Sequence, residues 1–415
     1  MKQYGCIGKK LTHSFSKEIH SRLADYEYNL IELDENELSS FFEKKDFEAI
    51  NVTIPYKEAV IPYLDSISDI ARRIGAVNTV VNKNGKLYGY NTDYYGMKAL
   101  IERHLPSFSG KKVLILGTGG TGKTVRVLAA DMGASEIFTV SRSKKDGCID
   151  YAEAVSLHFD AEIIINTTPS GMYPNCESKP IDISNFQRLE AVIDAVYNPL
   201  RTQLVLDAKE RGIKAEGGLY MLVMQAVFAV EKFLDAEIKK DLAERVFAEI
   251  LNEKENVVLI GMPGSGKTTV GASLKINGYE FIDTDSEIEK RCGGTIKELI
   301  AKEGEKYFRD LESEVIRDVS KKGARIISTG GGAVLRKENV RALKQNGRLF
   351  FIDAKPSRLK ADEDRPLSDT DEKLMKLYNE RIGIYNSVAD VKVPDMDTAK
   401  EEAEYILAKR LELFL

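Results

Sequence analysis

Short apolar runs that end in glycine or polar residues recur along the chain, and their length predicts buried strands. Such runs cover residues 4–7, 49–54, 111–116, 136–140, 161–166, 191–196, 257–260, 279–285, 325–328 and 348–353. Helical patterns lie between them, at 17–24 and 286–291, with a longer amphipathic stretch over 218–250. Strands that alternate with helices in this way predict an α/β fold with parallel sheets.

Size and composition describe an ordinary globular protein of two or three domains. The chain has 415 residues, of which 43% are hydrophobic and 30% charged, and its net charge of −5 gives no reason to expect a nucleic-acid partner. No apolar run reaches the roughly 18–20 residues of a membrane span, and the N-terminus has no signal-peptide core. The four cysteines form no CxxC pair, which favours buried thiols in a reducing compartment. We therefore expect a cytoplasmic location.

The most specific motif is the glycine-rich segment after the strand at 257–260. It reads Gly-Met-Pro-Gly-Ser-Gly-Lys-Thr over residues 261–268 and fits the P-loop pattern. Backbone N–H groups of such a loop surround phosphate oxygens, and the following helix adds partial positive charge. Lys267 can reach the outer phosphates of a nucleotide, and the Thr268 hydroxyl can bind Mg²⁺. About 250 residues precede this loop, so the chain carries another complete unit ahead of it.

Polar side chains follow the apolar segments of the first hundred residues, where open α/β sheets place their binding groups. Lys57 comes just after the strand at 49–54, and Asp93 follows a later apolar segment. A lysine beside a carboxylate can transfer a proton to a substrate oxygen. Ser14 and Ser16, if extended, point their hydroxyls to one side and can hold a polyol or carboxylate. Taken alone, the two serines fit an N-cap of the next helix better, and Lys57 fits a solvated surface charge.

A second glycine-rich loop follows the strand at 111–116. It reads Gly-Thr-Gly-Gly-Thr-Gly-Lys-Thr over residues 117–124 and fits both the dinucleotide fingerprint and the P-loop pattern. The strand at 136–140 ends about 20 residues later in Ser-Arg-Ser, where an NAD enzyme carries an acidic residue. Arginine there suits the 2′-phosphate of NADP. We therefore favour a dinucleotide loop with NADP over NAD, which makes Lys123 a solvated helix residue.

Charged and glycine-rich segments follow the strands of the C-terminal part. Asp283 and Asp285 stand two residues apart at a strand end. They either cap the next helix or, after a P-loop, hold the Mg²⁺ shell and accept a proton from a substrate hydroxyl. Arg309 and Glu312 share a helix face, which alone describes a surface ion pair. The glycines at 330–332 let the backbone approach a ligand closely, and the arginines beyond them suit a small-molecule kinase.

Four motifs of the first unit resemble the shikimate dehydrogenase family in their order and spacing. They are His-Ser-Phe-Ser, Asn-Val-Thr-Ile-Pro-Tyr-Lys, Gly-Ala-Val-Asn-Thr and Tyr-Asn-Thr-Asp. The resemblance implies a shikimate-binding domain over 1–102, completed by helices over 218–250, and a Rossmann NADP domain over 103–217. It implies Lys57 as the catalytic proton donor and acceptor, with Asp93 beside it.

The same resemblance implies two sets of binding residues. Shikimate would contact Ser14, Ser16, Thr53, Asn78, Asp93, Tyr197 and Gln225. NADP would contact Gly117, Thr118, Gly119, Gly120, Thr121, Ser141, Arg142, Ser143 and Gly218. The family usually shows Asn-Arg-Thr where this chain has Ser141-Arg142-Ser143, a departure that would weaken the preference for NADP.

The segment over 257–415 resembles shikimate kinase through its P-loop and five further motifs. They are Asp-Thr-Asp, Phe-Arg-Asp-Leu-Glu, Gly-Gly-Gly-Ala-Val, Asp-Arg-Pro-Leu and Glu-Arg-Ile-Gly-Ile-Tyr. The implied ATP contacts are Gly264, Ser265, Gly266, Lys267, Thr268, Thr269, Arg358 and Arg365, with Thr268 as the Mg²⁺ ligand. The implied shikimate contacts are Asp285, Arg309, Gly331 and Arg381. Lys267 and Asp283 would be catalytic, with Asp283 near the metal and the attacking hydroxyl, and a mobile lid would span 355–369.

Together the resemblances imply a bifunctional enzyme whose halves are joined by a short charged linker at 251–256. NADPH would reduce 3-dehydroshikimate to shikimate, and ATP with Mg²⁺ would phosphorylate shikimate. The expected partners are these small molecules, without nucleic acid or membrane, and a homodimer is the candidate assembly. One alternative is an NAD-dependent quinate/shikimate dehydrogenase joined to a generic small-molecule kinase. The other is a chain in which one half is a non-catalytic binding module.

Overall fold

The computed structural model describes residues 3–11, 15–143, 147–359 and 370–412. Its internal contacts divide the chain into two compact units, Met1–Ile250 and Leu251–Leu415, called unit 1 and unit 2 below. None of the described helices is both long enough and apolar enough to span a membrane. Each unit has its own sheets and its own buried core, so each is described separately.

Unit 1 begins with a mixed sheet. Its strands are β1 (Gln3–Gly8), β2 (Tyr28–Glu32), β3 (Phe47–Val52), β4 (Ser66–Ile67), β5 (Thr79–Lys83) and β6 (Lys86–Tyr90). Its helices are α1 (Ser16–Leu23), α2 (Leu38–Lys44), α3 (Asp69–Ile74) and α4 (Asp93–Glu102). Within the described ranges the strand order is β2-β1-β3-β5-β6-β4, and β5 runs antiparallel to β3 and β6. The C-terminal end of β3 and the start of β5 therefore lie at the same edge of the sheet.

The second sheet of unit 1 is parallel throughout. Its strands are β7 (Lys112–Leu116), β8 (Glu136–Val140), β9 (Cys148–Ile149), β10 (Ile163–Asn166), β11 (Ala191–Asp194) and β12 (Lys214–Glu216). The helices between them are α5 (Gly120–Asp131), α6 (Tyr151–Leu157) and α7 (Gln203–Glu210). The strand order in the described chain is β12-β11-β10-β7-β8-β9. Strands β10 and β11 are buried along their whole length, which is why they read as continuous apolar runs.

Two helices complete the unit, α8 (Leu219–Leu234) and α9 (Lys240–Lys254). Helix α8 is largely apolar and packs against α4 and α1. Helix α9 runs into the predicted linker at 251–256 as far as Lys254, and the next strand begins at Asn256. Leucine, glutamate and lysine in this segment are good helix formers, and the division between the units falls within the helix, after Ile250.

Unit 2 is built on a third, parallel sheet. Its strands are β13 (Asn256–Ile260), β14 (Glu280–Asp283), β15 (Arg325–Ser328), β16 (Gly347–Asp353) and β17 (Val391–Pro394), and across the described part their order is β14-β15-β13-β16-β17. Its helices are α10 (Lys267–Ser273), α11 (Thr284–Cys292), α12 (Ile296–Glu303), α13 (Glu305–Ser320), α14 (Lys337–Asn346), α15 (Asp371–Val388) and α16 (Ala399–Glu412). The P-loop follows the central strand β13.

The predicted α/β class is confirmed, with two parallel sheets and one mixed sheet, and two predicted strands end earlier than expected. The strand predicted at 279–285 stops at Asp283 because α11 begins at Thr284, so Asp285 is helical. The strand predicted at 191–196 ends at Asp194. Short strands such as β9, β12 and β17 span only two to four residues, which is too few to show in the sequence pattern.

Candidate active sites

Lys57 and Asp93, separated by 36 residues in the chain, form a direct ion pair. Lys57 Nζ lies 2.5 Å from Asp93 Oδ2, and the two side chains are 15% and 8% exposed. Asp93 is the first residue of α4, and the loop carrying Lys57 is tied down by Val77 N–H, which donates to Lys57 O at 2.7 Å. The ammonium group is therefore oriented by the carboxylate and still reaches the surface.

Asn78 links this pair to a buried polar network. Its Nδ2 donates to Asp93 Oδ1 at 2.9 Å, and its Oδ1 accepts from Thr92 N–H at 2.7 Å. Asn51 Nδ2 donates to Asn78 O at 3.3 Å, and Tyr28 O–H donates to Asn51 Oδ1 at 2.7 Å. The sequence analysis missed Asn51 and Thr92 as members of this site, although both stand within the quoted motifs.

The other predicted shikimate contacts occupy different positions. Ser14 lies outside the described residues, and Ser16 is the first residue of α1, where Phe15 is the N-cap and makes no side-chain cap bond. Phe15 packs on Tyr197 with ring centroids 5.2 Å apart. Thr53 is half-buried just after β3. Gln225 is 8% exposed in α8, and its Nε2 donates to Leu222 O of the same helix.

The glycine-rich loop at 117–124 lies next to Lys57. A Cβ atom on Gly120 would lie 3.5 Å from Lys57 Cδ, and a Cβ on Gly122 would lie 2.4 Å from Gly117 O. Gly117 has a φ of +109°, which favours glycine. Helix α5 begins at Gly120, so its N-terminal N–H groups face the loop, as a pyrophosphate requires. The residues present fit the pyrophosphate of a bound dinucleotide, and this loop lies next to Lys57.

The remaining predicted NADP contacts surround this loop or lie at neighbouring strand ends. Thr118 and Thr121 are half-buried, and Gly119 is the exposed N-cap of α5. Ser141 is buried just after β8, whereas Arg142 and Ser143 are exposed. Gly218 is the N-cap of α8, and a Cβ there would lie 2.2 Å from Ala195 O. Arg142 is exposed, so its guanidinium group is accessible to a phosphate. Gly218 must be glycine because a larger side chain would clash with Ala195 O.

The two loops that share the Gly-Lys-Thr pattern differ in the direction of their lysines. Lys123 points away from its loop and pairs with Glu58 at 2.7 Å, with 43% of its side chain exposed. Lys267 is buried and folds back over its own loop, where Nζ donates to Gly261 O at 3.0 Å and to Met262 O at 2.8 Å. Only the second arrangement places an ammonium group inside a phosphate-binding loop.

A fully buried carboxylate, Asp194, was missed by the sequence analysis. It ends β11 and accepts hydrogen bonds from Thr202 Oγ1 at 2.6 Å, from Val196 N at 2.9 Å and from Asn166 Nδ2 at 2.9 Å. Burial raises the pKa of Asp194 to about 7, and the three donors oppose that rise. Asp194 thereby ties the loops after β10 and β11 to each other.

In unit 2, three side-chain oxygens meet next to the P-loop. Thr268 Oγ1 donates to Asp283 Oδ2 at 2.8 Å and lies 3.3 Å from Ser328 Oγ. Asp283 Oδ1 also accepts from the N–H groups of Asp285 and Ser286, so Asp283 caps α11 while its other oxygen lies beside the P-loop hydroxyl. A hydroxyl and a carboxylate beside a P-loop fit Mg²⁺, which prefers oxygen ligands.

A buried ion pair lies against the glycine segment at 330–332. Arg309 NH1 lies 2.8 Å from Glu312 Oε2, and the two side chains are 11% and 1% exposed, so the pair is not a surface one. A Cβ on Gly330 would lie 2.6 Å from Asp285 Oδ1, and a Cβ on Gly332 would lie 2.2 Å from Arg309 NH1. Asp285 and Arg309 therefore pack directly against the glycine segment, where a larger side chain would clash.

Arg381 and Tyr385 reach the same segment from α15. Arg381 is 6% exposed and donates to Gly331 O at 3.1 Å, and Tyr385 O–H donates to the same oxygen at 2.5 Å. Tyr385 and Glu312 were not among the predicted site residues. Tyrosine at the end of a helical pattern reads as core, and nothing in the local sequence shows its distant partner.

The other predicted ATP contacts are divided between the loop and a distant segment. Gly264 and Gly266 are exposed with positive φ, Ser265 is buried, and Thr269 is exposed in α10. Arg358 donates to Asp395 Oδ1 at 2.7 Å and to Met396 O, so a neighbouring acidic loop holds it. Arg365 and most of the predicted lid lie outside the described residues.

The two units therefore define a dinucleotide-dependent dehydrogenase site and a P-loop kinase site on one chain. The chain matches the shikimate dehydrogenase substrate binding domain over residues 6–80 and the shikimate kinase family over residues 263–411. A shikimate dehydrogenase (NADP(+)) of Clostridium perfringens is 39% identical over 268 residues, which are 60% of this chain and 98% of that protein.

Solved structures give the same result for the first unit. A chorismate mutase/shikimate 5-dehydrogenase fusion protein from Clostridium acetobutylicum matches with a TM-score of 0.57 and 34% identity, over 61% of this chain and 98% of that one. The shikimate 5-dehydrogenase of Thermus thermophilus in complex with NADP(H) and shikimate matches with a TM-score of 0.54 and 26% identity, over 60% and 99%. The chain belongs to the shikimate dehydrogenase family and carries a shikimate kinase domain after it. It is a bifunctional enzyme of the shikimate pathway, with NADP(H), ATP and Mg²⁺ as its cofactors.

Proposed function

We propose that unit 1 reduces 3-dehydroshikimate to shikimate with NADPH and that unit 2 phosphorylates the 3-hydroxyl of shikimate with ATP. The observation that carries the proposal is the approach of the dinucleotide loop to the Lys57–Asp93 pair, with Gly120 against Lys57 Cδ. The loop that would bind the hydride donor and the lysine that would supply the proton therefore lie next to each other. The kinase half is supported by the Lys267 geometry and by the pocket of Asp285 and Arg309.

In the first reaction, NADPH supplies the hydride that attacks the ring carbonyl carbon. Lys57 donates the proton that converts the carbonyl oxygen to a hydroxyl, and Asp93 orients the ammonium group during the transfer. Asn78 holds Asp93 in place through its 2.9 Å bond to Oδ1. Tyr197 packs against Phe15, and we assign it to the substrate side.

In the second reaction, ATP supplies the phosphoryl group and Mg²⁺ neutralises charge on its oxygens. Lys267 holds the outer phosphates, and Thr268 with Asp283 occupies the metal side. We assign Asp285, on the glycine-segment side, to the attacking hydroxyl, because both oxygens of Asp283 are already bonded within the protein. Arg309, Arg381 and Gly331 would bind the carboxylate and the other hydroxyls.

A one-pot reaction tests the proposal. Purified protein receives 3-dehydroshikimate, NADPH, ATP and Mg²⁺, and the products are identified by mass spectrometry. We expect shikimate 3-phosphate. Accumulated shikimate would show an inactive kinase half, and untouched 3-dehydroshikimate would refute the dehydrogenase assignment or its cofactor.

The two alternatives predict other outcomes of related assays. Faster oxidation of quinate than of shikimate, or of substrate with NAD than with NADP, would favour a quinate/shikimate dehydrogenase. Calorimetric binding of shikimate without turnover by one half would favour a binding module. We also propose a cytoplasmic location, which the four free thiols support; the homodimer stays a prediction, which light scattering tests.

A further inference from the structure

Two donors from one helix converge on a single backbone oxygen in the glycine segment of unit 2. Tyr385 O–H and Arg381 NH1 both donate to Gly331 O, at 2.5 Å and 3.1 Å. The two side chains stand one turn apart on α15. A carbonyl oxygen has two lone pairs, so these two bonds satisfy it completely.

The surroundings of Tyr385 fix the position of its hydroxyl, and therefore of Gly331 O. Its side chain is fully buried, and its ring stacks on Phe351 with centroids 5.1 Å apart and planes 10° apart. Burial raises the pKa of Tyr385 well above its ordinary value of 10.0. The hydroxyl therefore keeps its proton across the pH range of the enzyme and always acts as a donor.

The peptide that Tyr385 fixes also carries a donor of the proposed substrate pocket. The peptide between Gly331 and Gly332 is trans, so its N–H points opposite to its C=O. In the described chain no acceptor is bonded to the N–H of Gly331 or of Gly332. Arg309 lies directly against Gly332. Backbone donors beside a guanidinium group are an arrangement that binds carboxylate or hydroxyl oxygens.

We propose that Tyr385 is a positioning residue of the kinase reaction, which holds the Gly331 carbonyl so that Arg381 can turn its donors to the substrate carboxylate. The inference rests on the proposed function, which assigns Arg381 and Gly331 to shikimate. Without the Tyr385 hydroxyl, Arg381 is the remaining donor to Gly331 O. Arg381 then cannot turn to the substrate without leaving a partly buried acceptor unsatisfied, which is unfavourable.

Tyr385→Phe removes the hydroxyl and keeps the stacked ring. We expect the KM for shikimate to rise about tenfold, while kcat and the KM for ATP change by less than about threefold, since one partly buried hydrogen bond is lost on the substrate side alone. Tyr378→Phe is the matched control, because it removes a hydroxyl from the same helix that no described residue bonds. The dehydrogenase rate of the same preparation is the internal standard.

Several results would overturn the inference. These are an unchanged KM for shikimate, a fall in kcat alone, and a parallel rise in the KM for ATP, which would show that the hydroxyl supports the whole glycine segment. Thermal unfolding is recorded alongside, and a variant unfolded at the assay temperature would show a purely structural role. Arg381→Ala separates this inference from the proposed function. If the unmodified chain does not phosphorylate shikimate, or Arg381→Ala leaves its KM unchanged, the proposed site is wrong; a response to Arg381→Ala without one to Tyr385→Phe refutes only the role of Tyr385.

Discussion

Asp194 predicts an unusual dependence of stability on pH in unit 1. Its pKa rises from 3.8 to about 7 because the carboxyl is buried. The folded state therefore binds a proton between those pH values that the unfolded state releases. The contribution of Asp194 to the free energy of unfolding is greatest below pH 3.8 and falls as the pH rises towards 7. A carboxylate in an ion pair usually behaves in the opposite way.

Asp194→Asn isolates this contribution. The amide oxygen still accepts from Val196 N and Asn166 Nδ2, and Thr202 Oγ1 can accept from the new amide group, so the loop contacts survive. Each pH unit between the two pKa values corresponds to about 1.4 kcal/mol, so the full shift is worth about 4 kcal/mol. Between pH 5 and pH 8 the variant should gain about 3 kcal/mol of unfolding free energy relative to the unmodified chain.

The measurement is urea unfolding of both proteins at pH 5 and pH 8, followed by circular dichroism. The transition of unit 1 is identified as the one that NADP⁺ shifts to higher urea concentration, because a ligand stabilises the unit that binds it. A difference between the two proteins that stays constant with pH would refute the reasoning. It would show that the three donors to Asp194 outweigh its loss of hydration.

Three further predictions concern the two sites and the start of unit 2. Lys267→Ala should reduce kinase activity about 100- to 1000-fold and leave dehydrogenase activity intact, and Lys57→Ala should do the reverse; loss of both activities from a folded variant would contradict independent sites. Arg142→Ala should raise the KM for NADPH about tenfold or more without changing that for NADH, since a charged hydrogen bond is lost; equal effects on both cofactors would contradict the 2′-phosphate role. Glu255→Ala should lower the unfolding free energy of unit 2 by about 3–5 kcal/mol, because Glu255 and Arg348 form a buried pair at 2.5 Å. Chemical unfolding measures it, and Glu280→Ala, at an exposed pair with Arg325, should cost under about 1 kcal/mol; equal costs would refute the argument.

Local pattern predicted the groups that stand at strand ends. Lys57, Asp93 and Lys267 each lie in or after the loop that follows an apolar run, and α/β sheets bring such loops together. The sequence also distinguished the two Gly-Lys-Thr loops, because the Ser-Arg-Ser segment that follows the loop at 117–124 favours a dinucleotide there. The opposite directions of Lys123 and Lys267 required the structure, because they depend on Glu58 in one case and on loop carbonyls in the other.

Residues that act through distant partners could not be predicted. Asp194 and Asn166 become neighbours only because β10 pairs with β11 in register, and Tyr385 meets Gly331 across 54 residues of chain. The sequence pattern predicts Glu312 as a surface residue, and only the structure shows that the glycine segment covers it. Strand order and helix packing decide these contacts, and a local hydrophobic pattern predicts neither of them.

Helix α9 sets a limit on how the two activities can be separated in the laboratory. Its Phe247 and Glu249 contact Tyr220 and Arg22 of unit 1, whereas Asn252 O, one turn on, accepts from side chains of unit 2. A gene divided between residues 250 and 251 would leave each of these contacts in its own product. It would, however, cut α9 between helical turns, so each product would carry a helix end that has lost its neighbouring turn.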